Sequence, residues 1–168
     1  MEENKIRTVS VRLVEGPPIY SPVPIRNPGD AARLIGERMA GYDRELVCLL
    51  NLQSDNQVIN ASILGIGTLN QALVSPRETF KASILSNAAS VILLHNHPSG
   101  SCSPSRDDRL LAARIAACGR LLDIPLLDFI IVGPRDGYYS FQEAGLLPET
   151  GHEIDLSCFT GIEPERRR

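Results

Sequence analysis

Two short apolar runs, SVILLH at residues 90–95 and IPLLDFIIVG at residues 124–133, constrain the fold of this chain most strongly. The apolar part of the first run is uninterrupted and opens with two β-branched residues, which is typical of a strand buried on both faces. The second run predicts another buried strand. Between them, a proline-led stretch from Ser103 to about Leu122 has helical spacing and predicts a helix. Strand, helix and strand in this order favour a layered α/β fold.

Three further segments extend this alternation toward the N-terminus. Residues 28–40 space apolar residues at helical intervals behind Pro28 and Asp30, and they predict a helix. Residues 75–85 open with SPRE, a capping box with proline at the first helical position, and predict another helix. The apolar runs ELVCLLNL and QVINASILGIG are parted by QSDN, which predicts a hairpin and therefore a mixed sheet. After the turn PRDG, YYSF is expected to add a short partner strand.

The 168 residues are expected to form one domain, because a chain of that length buries most of its apolar surface without disulfides. We place this domain at residues 28–147. An arm at residues 1–27 precedes it, with a strand-like VSVRLVE and the extended, proline-rich GPPIYSPVP. The tail at residues 148–168 has few apolar residues and is expected to be mobile. Four cysteines lack C-x-x-C spacing, and three lie in apolar surroundings, which favours buried free thiols.

Charge and hydropathy bear on location and partners. The sequence has no signal segment and no apolar run near 18 residues, so a cytoplasmic protein without membrane contact is expected. The formal net charge of -3 gives no overall attraction to nucleic acid, because such binding depends on Lys and Arg against phosphate. Local basic patches leave a DNA contact open.

The stretch HNHPSGSCSPSRDD at residues 95–108 carries the candidate site. His95 and His97 end a buried strand, and the proline and glycine that follow suit a bend that turns both rings toward one point. In the next helix Asp108 shares one face with four apolar residues at spacings of three and four, namely Leu111, Ile115, Cys118 and Leu122. A carboxylate on a core-facing stripe needs a partner or a metal. The alternative is that Asp108, with Asp107, only complements the positive end of the helix.

Two imidazoles and one carboxylate form a three-ligand set for a divalent ion such as zinc, and they leave the fourth tetrahedral position to water. This pattern is typical of catalytic zinc sites. Hydrolysis also requires a base that takes a proton from water and later gives one to the leaving group. Cys102, in the same loop, is a less favoured candidate for a fourth ligand.

The combination H-x-H-P, then Ser105, then Asp108 three residues later resembles the signature of the JAMM (MPN-type) metalloproteases. With GTLNQALVSPRETFKASI upstream and GRLLDIPLLDFIIVG downstream, the chain is similar to the bacterial RadC branch of that superfamily over roughly residues 40–145. The resemblance implies one MPN/JAMM-type α/β domain, in which helices flank a mixed, curved sheet of cytidine-deaminase-like architecture. It also implies a short form, without the helix-hairpin-helix region that longer RadC proteins carry before this domain.

The same resemblance implies a role for each site residue. His95, His97 and Asp108 would hold one zinc ion per chain, Ser105 would stabilise the oxyanion of the tetrahedral intermediate, and Glu45 would be the general acid/base. Taken alone, a glutamate at a strand start is ordinarily a solvated edge residue, so the role of Glu45 depends on the resemblance. A serine after proline is common helix-start chemistry, but Ser105 also lies on nearly the same side of the helix as Asp108.

Two functions are therefore considered. The preferred one is a zinc-dependent metallohydrolase that cleaves a peptide or isopeptide bond in a protein or peptide substrate. The alternative is a DNA-repair-associated factor of the RadC type that binds DNA or a DNA-processing partner without peptidase activity; the acidic chain shows no charge pattern for it. A zinc deaminase is rejected, because its H-x-E…P-C-x-x-C ligands are absent from the sequence.

Overall fold

The computed structural model describes residues 10, 12–16, 24–40, 42–67, 74–134 and 137–147. The elements in this part of the chain are α1 (Pro28–Ala40), β1 (Leu46–Leu52), β2 (Val58–Ile66), α2 (Pro76–Leu85), β3 (Ser90–Asn96), α3 (Arg106–Leu121), β4 (Leu126–Val132) and β5 (Tyr138–Ser140). Their order confirms the alternating α/β pattern predicted from the apolar runs.

The five strands form one mixed sheet in the order β2-β1-β3-β4-β5. Strand β1 pairs antiparallel with β2 and β3, β4 runs parallel to β3, and β5 is antiparallel to β4. The predicted hairpin is thus β1 and β2. Its QSDN turn closes with Asn56 at a φ of 64°, a left-handed conformation that asparagine tolerates better than most residues.

Helices cover the sheet on both faces. The side of β3 that carries Ile92 and Leu94 packs in an apolar cluster with α1, whereas Val91 and Leu93 pack in a second cluster with α2 and α3. All seven residues of β1 and of β3 are buried, as expected for strands in the middle of such a sheet. Because side chains alternate along a strand, consecutive residues at the end of β3 point to opposite layers.

Helix α3 begins three residues later than the sequence suggested. Its first residue is Arg106, and Ser105 is the N-cap in extended conformation. The Asp108 N–H donates to Ser105 Oγ at 3.1 Å, and the Ser105 N–H donates to Asp108 Oδ2 at 2.7 Å. These reciprocal bonds form a capping box that fixes the helix start and leaves Pro104 outside it. The prediction of a start at Ser103 was wrong because it gave the proline the first helical position.

The remaining predictions concern cysteines, termini and membrane contact. Cys48, Cys102 and Cys118 are free thiols, and Cys158 lies outside the described residues. The strand-like VSVRLVE forms no strand in residues 12–16, which are exposed and lack a partner in the sheet. The tail at residues 148–168 also lies outside the described part. None of the described helices is both long and apolar enough to cross a membrane.

Candidate metal centre

Four side chains with metal-binding atoms converge at one end of the sheet. Glu45 immediately precedes β1, His95 lies near the end of β3, and His97 follows that strand. Because β1 and β3 are antiparallel, with Val47 opposite His95, the start of one strand lies beside the end of the other. Asp108, in the first turn of α3, completes the group from the layer above the sheet. The structure therefore brings together all four residues.

The distances between these side chains are short. His95 Nε2 lies 3.6 Å from Asp108 Oδ1 and 3.9 Å from Glu45 Oε2. His97 Nε2 lies 3.4 Å from Asp108 Oδ2. Ligand atoms of Glu45, His95 and His97 also lie within 4.8 Å of one another. His95 and Asp108 are buried, whereas Glu45 and His97 are half-buried, so the group is shielded on one side and reachable on the other.

Both histidine rings are fixed from behind by backbone carbonyls. His95 Nδ1 lies 3.0 Å from Leu46 O, and His97 Nδ1 lies 2.8 Å from Ser101 O. Since a carbonyl oxygen only accepts, each Nδ1 carries a proton, and each neutral ring presents the lone pair of Nε2. Metal-binding histidines ordinarily have such a partner on the second nitrogen. Both lone pairs point into the cluster with the two carboxylates.

This arrangement needs positive charge at its centre. Lone pairs and carboxylates at these distances repel one another, and burial reduces the screening by water. Without a metal, protons supply the charge unequally: the hydrogen bond with Asp108 raises the pKa of His97, whereas burial lowers the pKa of His95. Burial opposes the charged form of Asp108, but hydrogen bonds from His97 and Ser105 outweigh it and lower the pKa of Asp108 to about 2.

The surroundings of Asp108 fit both alternatives that the sequence left open. Its Oδ2 accepts hydrogen bonds from the N–H and the hydroxyl of Ser105, at 2.7 and 2.6 Å, which caps the helix. Its Oδ1 meanwhile faces His95. The core-facing stripe and the helix cap are therefore compatible, because the capping bonds hold the carboxylate where the rings converge.

Ser105 lies beside the cluster, but its hydroxyl is already engaged. It donates to Asp108 Oδ2 and accepts from the Asp108 N–H. A hydroxyl has one proton, so it can donate to a substrate oxygen only after turning away from Asp108. The structure thus places Ser105 at the site as a capping residue, which is a narrower role than the resemblance implies.

Cys102 is directed elsewhere. Its sulfur packs against Gly133, and Gly137 is close by, at the turn between β4 and β5. Burial raises the pKa of its thiol, which disfavours the thiolate that a metal would bind. The group of Glu45, His95 and His97 does not include this cysteine. The geometry gives no support for Cys102 as a fourth ligand.

The sequence reasoning assigned no role to Asn96, the residue between the two histidines. Its side chain is buried and makes three hydrogen bonds to the chain around Glu45. The sequence pattern itself indicated a buried, hydrogen-bonded amide at this position. The residue after a core-facing histidine in a buried strand points to the opposite layer, and a buried amide there must find backbone partners.

These features define a class of protein before any relative is considered: a mixed α/β domain with a candidate metal centre of two histidines and two carboxylates. Residues 25–146 match the family model described as RadC-like JAB domain. The chain belongs to this family, and the RadC resemblance inferred from the sequence is confirmed.

Curated relatives support the same assignment. The chain is 43% identical over 141 residues to the UPF0758 protein of Rubrobacter xylanophilus. The aligned region covers 84% of this chain and 59% of that protein. It is 41% identical over 136 residues to the UPF0758 protein of Desulfitobacterium hafniense, in an alignment that covers 81% of this chain and 59% of that protein. A UPF0758 protein of Bacillus cereus is 45% identical over 121 residues, in an alignment that covers 72% of this chain and 53% of that protein. The chain thus spans less than two thirds of these relatives, and their name states no activity.

Proposed function

We propose that this domain is a zinc-dependent metallohydrolase that cleaves a peptide or isopeptide bond. One observation carries the proposal: the Nε2 atoms of His95 and His97 lie 3.4–3.9 Å from carboxylate oxygens of Asp108 and Glu45. Both rings are held in this orientation by a backbone carbonyl at Nδ1. Imidazole and carboxylate together are a ligand set that suits zinc. Membership of the JAB family, which includes metallohydrolases, supports the same function.

The spacing of the donor atoms fits a tetrahedral ion. Bonds of about 2.0–2.2 Å to nitrogen and oxygen place neighbouring tetrahedral ligands about 3.3–3.6 Å apart. Asp108 has Oδ1 at 3.6 Å from His95 Nε2 and its other oxygen, Oδ2, at 3.4 Å from His97 Nε2, whereas Glu45 Oε2 lies 3.9 Å from His95 Nε2. Either carboxylate completes a three-ligand set: Glu45 offers one oxygen within 4.8 Å of both histidine ligand atoms, whereas Asp108 offers the shorter distances and is the ligand that we propose. His95, His97 and Asp108 would then hold the ion, and Glu45 would stay available for proton transfer.

When bound, zinc supplies Lewis acidity and lowers the pKa of a water toward about 7. The remaining work belongs to the chain. The Glu45 carboxylate accepts no hydrogen bond from the described residues, so its oxygens are free to take a proton from the attacking water. The same oxygen can then return that proton to the leaving amine, as a general acid/base must. With their Nδ1 protons donated to backbone carbonyls, His95 and His97 would each offer the Nε2 lone pair to the ion.

Ser105 is proposed to stabilise the oxyanion by exchanging its hydrogen-bond partner. Its hydroxyl would leave Asp108 Oδ2 and donate to the negatively charged oxygen of the substrate. Asp108 need not move, because the backbone N–H of Ser105 also donates to Oδ2, at 2.7 Å. The capping box therefore allows the hydroxyl to turn without releasing the carboxylate.

The experiment that tests this function has two stages. Metal-free protein is titrated with zinc against a chromophoric chelator, and we expect one ion per chain. The zinc-loaded protein is then incubated with a library of linear and lysine-branched peptides, and new termini are read by mass spectrometry. Glu45→Gln, loaded with zinc, is the control and should release none of the products. Failure to bind a divalent metal, or equal cleavage by both proteins, would contradict the proposal.

A further inference from the structure

Asn96 is the last residue of β3, and its side chain points away from the histidine rings. The alternation along the strand places His95 in the layer of α3 and Asn96 in the layer of α1. Asn96 is only 2% exposed. A buried amide in that layer costs free energy unless its donors and acceptor are satisfied.

All the hydrogen-bonding groups of this amide are used on one short segment of the chain. Asn96 Oδ1 accepts from the Leu46 N–H at 2.7 Å. Its Nδ2 donates to Arg44 O and to Met39 O, both at 3.1 Å. One N–H group and two carbonyls thus select the amide orientation, because an acceptor is needed on one side and two donors on the other. Two of these three partners flank Glu45.

The backbone on the other side of Glu45 is linked to the cluster as well. Leu46 O faces His95 Nδ1 at 3.0 Å, while the Leu46 N–H is bound by Asn96. The adjacent side chains of His95 and Asn96 therefore form hydrogen bonds with the backbone C=O and N–H of Leu46, the residue after Glu45. The Glu45 carbonyl is fixed in turn by the Gly67 N–H at 2.8 Å.

This backbone is what places the Glu45 carboxylate. Within the described residues that carboxylate accepts no hydrogen bond, and His95 Nε2 lies 3.9 Å from its Oε2. When a side chain accepts no hydrogen bond of its own, its position is set mainly by the backbone to which it is attached. Here that backbone is tied to β3 through Asn96 on both sides of Glu45.

We infer that Asn96 is a positioning residue, which sets the place of the Glu45 carboxylate relative to the metal-binding histidines by holding the peptide groups on either side of it. The inference deepens the proposed hydrolase and rests on it for its catalytic meaning. It separates two tasks in the tripeptide at residues 95–97: the outer residues hold the metal and the middle residue holds the general acid/base. Asn96 acts only through Glu45 and touches no substrate.

The structural part of the inference is testable without metal or substrate. Asn96→Ala removes all three hydrogen bonds, and amide exchange measured by NMR on metal-free protein should be at least about tenfold faster at Leu46 and Gly67. Asn51→Ala is the matched control, because Asn51 is a fully buried amide at the other end of β1, bonded to Asn60. It should leave exchange at Leu46 and Gly67 within about threefold of the wild type.

Asn96→Asp keeps the side-chain volume and tests the same idea if the alanine variant does not fold. It retains an acceptor for the Leu46 N–H but loses at least one of the two donors to Met39 and Arg44. Exchange should then increase at Gly67, which reports the Glu45 carbonyl, while Leu46 stays protected. Unchanged exchange at Leu46 and Gly67 in both variants would overturn the inference.

The catalytic part is read with the library peptide that the wild type cleaves fastest. Asn96→Ala should keep zinc affinity within about threefold, lower kcat on the order of a hundredfold and leave KM nearly unchanged, because misplacing a catalytic group by about 1 Å costs that much. Asn51→Ala should change neither constant by more than about threefold. Equal kcat losses in the two variants would show that Asn96 is only structural. A protein that binds zinc but cleaves no peptide would instead contradict the hydrolase, and the exchange result would still stand.

Discussion

Asp108 Oδ2 lies 3.4 Å from Nε2 of His97, on the side of the ring opposite the Nδ1 that faces Ser101 O at 2.8 Å. The carbonyl behind the ring fixes the proton on Nδ1, so a lone pair faces a carboxylate across that gap. This pair is stable only when a proton or a metal ion lies between them. The relationship makes Asp108 the carboxylate whose loss should most affect metal binding.

Asp108→Asn should weaken zinc binding by more than about a hundredfold, since it removes a charged ligand, and even outer partners of metal ligands cost tenfold to a hundredfold. Glu45→Gln should change zinc affinity by less than about threefold. Competition titration with a chromophoric chelator measures both variants. The reverse order of effects would identify Glu45, and not Asp108, as the third ligand.

Ser105→Ala should lower the free energy of unfolding by about 1 kcal/mol, the usual cost of losing a helix N-cap. It should also weaken zinc binding by about tenfold, because the hydroxyl donates to Asp108 Oδ2 at 2.6 Å. Ser75→Ala is the matched control, since Ser75 caps α2 by accepting from Glu78 N at 3.4 Å. Urea unfolding and zinc titration should show a similar stability loss there with unchanged zinc affinity. Normal zinc affinity in Ser105→Ala would show that the helix cap does not contribute to metal binding.

The sequence predicted the layered fold because its signals are local. The run at residues 90–95 and the QSDN turn each specify structure within a few residues, and the described chain folds accordingly. The start of α3 was misplaced because proline and serine both suit a first turn, and only the reciprocal bonds between Ser105 and Asp108 decide between them.

The site was predictable only in part, for a reason that lies in sequence distance. His95 and His97 are separated by one residue and lie near Asp108 in the sequence, so spacing alone suggested that they converge. Glu45 reaches the same point through pairing of β1 with β3, across about fifty residues, which one sequence does not display. The partners of Asn96 are equally distant in sequence, since they are Met39, Arg44 and Leu46, so the residue's pattern could suggest burial but not which groups it binds.

Two buried glycines in helices should respond oppositely to alanine. A Cβ on Gly119 of α3 would lie 2.5 Å from Ile124 O, so Gly119→Ala must push apart the helix end and the chain entering β4, at a cost of about 1–3 kcal/mol. On Gly36 of α1 the nearest atom would be Val132 Cγ1 at 3.7 Å, an ordinary contact. Gly36→Ala should therefore stabilise the protein by up to about 1 kcal/mol through helix propensity. Thermal unfolding of both variants checks the signs, and stabilisation by both would contradict the close packing at Gly119.

Asp128 should make stability depend on pH. Its carboxylate accepts from Ser140 Oγ at 2.6 Å and from the Gln142 N–H at 3.0 Å, but burial outweighs these bonds and raises the pKa of Asp128 above its ordinary 3.8. The folded chain therefore holds this proton more tightly than the unfolded chain. The resulting stabilisation is complete below pH 3.8 and is lost as the pH rises through the raised pKa of the folded state.

Asp128→Asn cannot titrate, so its free energy of unfolding minus that of the wild type should increase with pH over that window. The slope should be at most about 1.4 kcal/mol per pH unit. Groups that do not interact with Asp128 titrate alike in both proteins and cancel in the difference. Urea unfolding in steps from about pH 3.5 to 7.5 measures it, and the lowest pH serves as the internal control because Asp128 is mostly protonated there in both states. A difference that falls with rising pH would mean that the hydrogen bonds from Ser140 and Gln142 outweigh burial and hold Asp128 as the charged partner of this turn.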